Sequence, residues 1–346
     1  MKVVIDDKIP YIREAARELF DEVVCLPGKD FAGSEELKDA DALIVRTRTV
    51  CDRRLLENTT VRFVATATIG FDHINVADLE AMGIGWTNCP GCNASSVGQY
   101  VRNALYALRD GGRIDNLTVG IVGYGHVGRE VYKALVPEGC RILVNDPPLE
   151  EQGGADVELL PLADLAANCD VITFHTPLEH GGLHPTYHLA GREFFAGLKR
   201  RPVIINAARG GVVDEAALLE AYAGGAVGEM VIDTWENEPA INGRLLDLAA
   251  VSTPHIAGYS ADGKSNATRM SLRAVCEFFH IPIADEERFL RRTAAPSLPA
   301  DVSPCGNHLA DLLRLYNPLC DSARLKAAPG AFESLRGNYP LRREGF

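Results

Sequence analysis

Gly123, Gly125 and Gly128 stand between an apolar run at 117–122 and a helical pattern at 129–135. Three glycines at this spacing, after a strand and before a helix, constrain the chain more than any other feature. Gly123 permits a tight turn, Gly125 lets backbone approach a pyrophosphate, and Gly128 lets helix and strand pack closely. The N-terminus of the helix, with free N–H groups and the positive end of the dipole, then favours an anion. A second strand, 142–145, ends at Asp146, an acceptor for adenosine ribose hydroxyls that repels a 2′-phosphate. The cofactor expected is therefore NAD rather than NADP, with His126 and Val127 inside the turn counted among its neighbours.

Further strands are expected at 171–174, 203–206 and 230–233 and near Val251, which extends the strand–helix alternation to about residue 255. Before it, the first 94 residues alternate in the same way. Strands are expected at 2–6, 42–46, 62–66 and 84–87, with helices at 9–20 and 53–56 and an N-cap at Asn75. A long helix at 95–109 should stop at Gly111 and Gly112. The helical pattern at 262–280, with Ala267, Met270, Ala274 and Phe278 on one face, suggests that the chain crosses back to the first domain. The expected organisation is a discontinuous substrate domain (1–94 and 259–281), a nucleotide domain (95–258) and a small C-terminal module (282–346).

The formal net charge of -12, with no basic run, argues against nucleic acid or an anionic membrane as partner. No signal-peptide layout and no apolar run of membrane-spanning length is present, so the expected location is cytoplasmic. Cys89 and Cys92 have C-x-x-C spacing, but no second such pair exists, and the reading is a strand-end turn. His180, His184 and His188 recur every four residues, yet Gly181, Gly182 and Pro185 break any helix that would align them; no metal is expected. Asp72 and His73 are assigned capping and packing rather than acid–base work.

Three of the expected strands lead into polar residues: 203–206 into Arg209, 230–233 into Glu238, and the one near Val251 into His255. Carboxyl ends of parallel strands line one crevice, so residues far apart in sequence converge there. Oxidising a 2-hydroxy acid needs a base for the hydroxyl proton, a cation for the carboxylate and developing carbonyl, and a nearby nicotinamide. His255 suits the base, Glu238 can orient the imidazole and stabilise its charged form, and Arg209 offers a planar fork for a carboxylate.

The segments 123–128, 174–178, 206–214, 233–239 and 254–258 together resemble the D-isomer-specific 2-hydroxyacid dehydrogenase family. The resemblance implies an α/β fold: a Rossmann nucleotide-binding domain, a flavodoxin-like substrate domain and a small C-terminal dimerisation module. It implies His255 as acid/base, Glu238 as its partner and Arg209 on the substrate. Thr176, Ala207, Ala208, Arg209, Asp233 and Gly258 join Gly123–Gly128 and Asp146 as cofactor positions; Thr47, Thr68, Gly70 and Tyr259 match substrate positions. The segments 45–49, 65–73, 90–94, 146–148 and 255–264 resemble a branch acting on a small phosphorylated 2-hydroxy acid, for which Arg46 is an expected contact. The tail at 332–344 resembles that branch's dimerisation segment, so a homodimer is expected, with Arg342 helping to bind substrate phosphate. Gln99 stands where such enzymes often carry Glu, and Ile69 replaces a smaller residue. Two alternatives remain open: a reductase of an unphosphorylated 2-oxo acid such as glyoxylate or hydroxypyruvate, and an NAD-sensing regulator on the same scaffold.

Overall fold

The computed structural model describes residues 1–109, 112–298, 303–340 and 342–345. They form two units, Met1–Asn93 with Ser260–Ser297, and Ala94–Tyr259 with Leu298–Phe346. Gly111, one of the two glycines expected to end the long helix, lies outside the described residues.

The first unit holds five parallel strands: β1 (Lys2–Asp6), β2 (Glu22–Leu26), β3 (Ala42–Val45), β4 (Phe63–Thr66) and β5 (Gly85–Thr87). Their order, β2-β1-β3-β4-β5, is that of a flavodoxin-like sheet. β1, β3 and β4 are buried at every residue, which is why they read as unbroken apolar runs. β2 is an edge strand with Glu22 exposed and the rest half-buried, and the sequence pattern did not reveal it. Asn75 caps the helix Val76–Ala81, its side chain accepting from the Asp78 N–H. Ser260 caps the helix Ala261–Phe278 in the same way, accepting from the Gly263 N–H. That helix buries Ala267, Leu272, Val275 and Cys276 against the sheet, whereas Phe278, expected on the same face, lies at the rim stacked on Phe63. Cys89 and Cys92 are buried free thiols, pushed up by burial to about 11 and about 12, and are poor nucleophiles.

The second unit holds six parallel strands: β6 (Thr118–Val122), β7 (Arg141–Asn145), β8 (Val171–Phe174), β9 (Val203–Asn206), β10 (Glu229–Ile232) and β11 (Val251–Ser252). Their order is β11-β10-β9-β8-β6-β7. Beside β7, Val144 pairs with Leu159 in a single parallel bridge. Counted as a strand reduced to one residue, Leu159 completes the 3-2-1-4-5-6 order of a dinucleotide-binding sheet. The helix after the glycine turn is His126–Leu135, three residues longer at its start than the sequence pattern indicates. A Cβ on Gly128 would sit 2.0 Å from the Gly123 carbonyl oxygen, so only glycine lets this turn close onto its helix.

Residues 282–346 do not form one body of their own. Helix Glu286–Arg292 packs Phe289 into the core of the first unit. Helices His308–Leu315, Pro318–Ala327 and Phe332–Gly337 belong to the second, where Leu312 and Tyr316 join Tyr100 and Leu105, and Leu325 and Phe332 join Trp235 and Ile232. The segment's buried apolar residues join three existing core clusters, one in the first unit and two in the second. Among the described residues, no helix is long and apolar enough to cross a membrane.

Candidate active site

Arg209, Glu238 and His255 line one cavity of about 320 Å³ in the second unit, together with Leu178, Tyr187, Gly210, Gly211, Trp235, Glu236 and Asn237. His255 Nδ1 lies 2.8 Å from Glu238 Oε2 and 3.2 Å from Oε1. An ionised carboxylate only accepts, so Nδ1 carries the hydrogen and Nε2 is left for a substrate proton. Burial raises the Glu238 carboxyl, but the hydrogen bond and charge of His255, the Trp235 N–H and the Arg336 cation hold it below the usual glutamate range.

The trio is carried by loops, and residues at and near the strand ends fix those loops. Asn206, the last residue of β9, donates from its amide to the Arg209 and Thr234 carbonyls and accepts from the Ala208 N–H. One side chain thus ties the arginine turn to the loop leading to Glu238. Gly210 makes the approach possible: a Cβ there would stand 1.9 Å from the Trp235 carbonyl oxygen. His255 adopts φ +57°, a left-handed conformation that costs a non-glycine residue on the order of 1 kcal/mol. Asp233 holds it there. Its carbonyl accepts from the His255 N–H, and its carboxylate accepts from the Ile256 and Ala257 N–H groups and the Thr253 hydroxyl. Tyr100 extends this network through a 2.7 Å bond to Thr253. Asp233 was expected at the cofactor; at 1% exposure it stands behind the His255 turn, and any cofactor contact shares these acceptors.

The glycine turn meets the requirements of an NAD site. Beyond Gly125, at the N-terminus of helix His126–Leu135, a Cβ would meet no atom within 4 Å, which leaves room for a pyrophosphate. Asp146, following β7, is fixed beside the turn by accepting from the Tyr124 N–H at 2.7 Å and the Leu149 N–H at 3.0 Å. After β8, the Thr176 hydroxyl is buried with no hydrogen-bond partner, a donor awaiting an acceptor. Neighbouring His175 is half-buried, and desolvation lowers its imidazole to about 3, which favours the neutral ring. His126 is exposed, Val127, Ala207 and Gly258 are half-buried, and Ala208 is buried.

The expected substrate residues fall into different environments. In the first unit, Arg46 pairs with fully buried Asp6 at 3.1 Å, while Thr47 is exposed. The Thr68 hydroxyl donates to the Gly70 carbonyl at 2.9 Å and meets Thr66. Thr66 also bonds His73, so His73 is held by a threonine rather than by Asp72. In the second unit Tyr259 is half-buried and meets Arg336. Arg342 corrects the sequence expectation. Only 7% exposed, it donates to Gln99 Oε1 and to the carbonyls of Ser96, Ile256, Ala257 and Tyr259, and lies 3.9 Å over the Tyr316 ring. Those acceptors occupy its N–H groups and leave none for a phosphate. Gln99 accepts from Arg342 through Oε1 and donates through Nε2 to the Arg343 carbonyl, a pairing that an amide offers and a carboxylate does not.

The arginine that the tail brings to the trio is Arg336, with Nη1 3.7 Å from Glu238 Oε2 and Nε 3.3 Å from the Tyr259 hydroxyl. No motif or spacing pointed to it. Below the cavity, Glu215 accepts from the Glu236 N–H, and burial pushes it up to about 7. His188 bonds Glu236 at 2.9 Å and lies 3.7 Å from Asp214, the group among the described residues whose donors could surround a cation. His184 turns instead to Glu151, and His180 lies tilted against the Tyr187 ring at 4.6 Å.

Residues 93–257 match the family described as D-isomer specific 2-hydroxyacid dehydrogenase, NAD binding domain. The chain is 51% identical to the erythronate-4-phosphate dehydrogenase of Bacteroides thetaiotaomicron, over 99% of its own length and 97% of that protein's. It is 42% identical to the enzyme of the same name from Porphyromonas gingivalis, over 99% and 94%. In fold it is similar to a D-2-hydroxyisocaproate dehydrogenase, with a TM-score of 0.69 at 22% identity, over 81% of this chain and 97% of that one.

Proposed function

Because the chain belongs to the D-isomer-specific 2-hydroxyacid dehydrogenase family, in its erythronate-4-phosphate dehydrogenase branch, we propose that it oxidises 4-phospho-D-erythronate to 2-oxo-3-hydroxy-4-phosphobutanoate with NAD, a step toward pyridoxal 5′-phosphate. The observation that carries the reading is the His255–Glu238 pair in one cavity with Arg209. Arg209 receives the substrate carboxylate and the developing carbonyl oxygen. His255 Nε2 takes the proton of the C2 hydroxyl, and Glu238, bonded to Nδ1, stabilises the imidazolium that results. Bound NAD would supply the hydride acceptor for C2. Gly123, Gly125, Val127 and Gly128 would hold its pyrophosphate, Asp146 its ribose, and Thr176, Ala207, Ala208, Asp233 and Gly258 its nicotinamide half. Arg46, Thr47, Thr68 and Gly70, at the carboxyl edge of the first sheet, are the substrate-binding positions proposed for that unit, and Tyr259 for the second.

An assay for NADH fluorescence with a panel of 2-hydroxy acids, each with and without a terminal phosphate, tests the reading. Turnover selective for the phosphorylated four-carbon acid, abolished in His255→Asn with NAD affinity retained, is the expected result. Equal turnover of unphosphorylated acids favours the small 2-oxo acid reductase, and NAD binding without turnover of any acid favours a regulator. A cytoplasmic homodimer completes the proposal, supported by the resemblance of the tail at 332–344 to a dimerisation segment; sedimentation equilibrium should give twice the chain mass.

A further inference from the structure

Helix Phe332–Gly337 carries Arg336 against the carboxylate that orients the candidate base. The guanidinium is half-buried, close to Glu238 and bonded to the Tyr259 hydroxyl. Its neighbours have a chemical consequence. A buried carboxylate alone beside an imidazole favours the imidazolium, whereas oxidation must start from the neutral ring. A cation 3.7 Å from the same carboxylate oxygen that His255 approaches at 2.8 Å offsets part of its charge and repels the proton.

We infer that Arg336 is a positioning residue of the hydride-transfer site, holding Glu238 ionised and oriented while keeping His255 ready to accept a proton. This rests on the proposed oxidation, and it extends that reading to a residue outside the trio. Other charged groups lie near the pair among the described residues, Glu333 beside Arg336 included. Arg209 and Glu236 line the same cavity, Glu215 lies beneath Glu236, and Asp233 lies behind the His255 turn with Arg342 beyond it. Arg209 is needed for the substrate carboxylate, and Asp233 is committed to backbone N–H groups. Arg336 is a cation beside Glu238 that is not itself a proposed substrate contact, and its replacement changes the field at the pair while also releasing the Tyr259 hydroxyl.

The test follows His255 by NMR titration of the full-length protein, with its signal assigned by loss in His255→Asn. In Arg336→Met the imidazole midpoint should rise by about one pH unit. Arg336→Gln, which keeps a donor for the Tyr259 hydroxyl, should show the same rise if the methionine variant folds poorly. Arg336→Lys should restore the wild-type midpoint, and Glu238→Gln should move it the other way. The acidic limb of kcat/KM for oxidation should shift upward by the same amount in the neutral variants. An unmoved midpoint overturns the inference, as does an effect confined to the KM of phosphorylated acids, which would make Arg336 a phosphate contact. Because the titration needs no substrate, it decides the role of Arg336 even if no hydroxy acid is turned over.

Discussion

Arg342→Ala tests whether the basic end of the chain serves the substrate or the fold. In the structure the side chain gives hydrogen bonds to Gln99 Oε1 and four backbone carbonyls, and covers the Tyr316 ring. Alanine leaves five buried acceptors short of a donor, at about 1 kcal/mol each where water cannot reach them. Water entering the vacated space recovers part of this, and loss of the cation–ring contact adds to it, so the net cost is about 4 kcal/mol. For a unit of this size that corresponds to a fall of roughly 10 °C in Tm. Arg342→Lys should lose most of the same amount, since an ammonium has three donors and no planar fork. Calorimetry of the full-length protein measures the transition, and steady-state kinetics with phosphorylated and unphosphorylated acids measures the rest. Losses in KM and kcat should be shared by both substrates. A Tm within about 2 °C of wild type, with a KM rise confined to the phosphorylated acid, would refute the structural role and return Arg342 to the substrate.

Asp146→Ala should weaken NAD binding and relax discrimination against NADP, read as the ratio of kcat/KM for the two cofactors, because ribose acceptors and a repelling charge are lost together. Gly128→Ala forces a methyl group to within 2.0 Å of the Gly123 carbonyl; NADH binding followed by fluorescence should weaken at least about tenfold, with stability falling on the order of 3 kcal/mol. Glu215, raised to about 7 in the folded state, is protonated in both states below about pH 4.5, where its stabilising contribution is complete. As pH rises toward 7 the unfolded chain ionises first and that contribution is lost, so wild type should fall behind Glu215→Gln by on the order of 2 kcal/mol across this interval, measured by urea denaturation.

The parts of this molecule written into neighbouring residues were legible from sequence. The glycine turn and the apolar strands β6 to β10 follow from local pattern, and the convergence of Arg209, Glu238 and His255 follows from the parallel-sheet rule that carboxyl ends share an edge. Weakly patterned elements were not legible. β2 lies at a sheet edge where alternation is not enforced, and the outer strand of the second sheet has shrunk to Leu159. Charged residues were the hardest to place. Arg342 reads as solvated or ligand-facing because carbonyls distant in sequence, which accept its bonds, leave no trace in composition. Arg336 reads as one basic residue of a short helix, and only the folded tail puts it against Glu238. Asn206 and Gly210 lay within the segments that carried the resemblance, but their work, joining two loops, depends on how closely those loops approach.

Arg342 also sets an order of events in the life of the chain. The carbonyls of Ile256, Ala257 and Tyr259, directly after His255, receive their donors from a residue 83 to 86 positions later in the chain. A nascent chain that has not yet reached Arg342 contains every motif of the nucleotide domain but cannot yet lock the turn that presents His255. The turn that presents His255 is therefore completed only once Arg342 has been made and has folded back onto it.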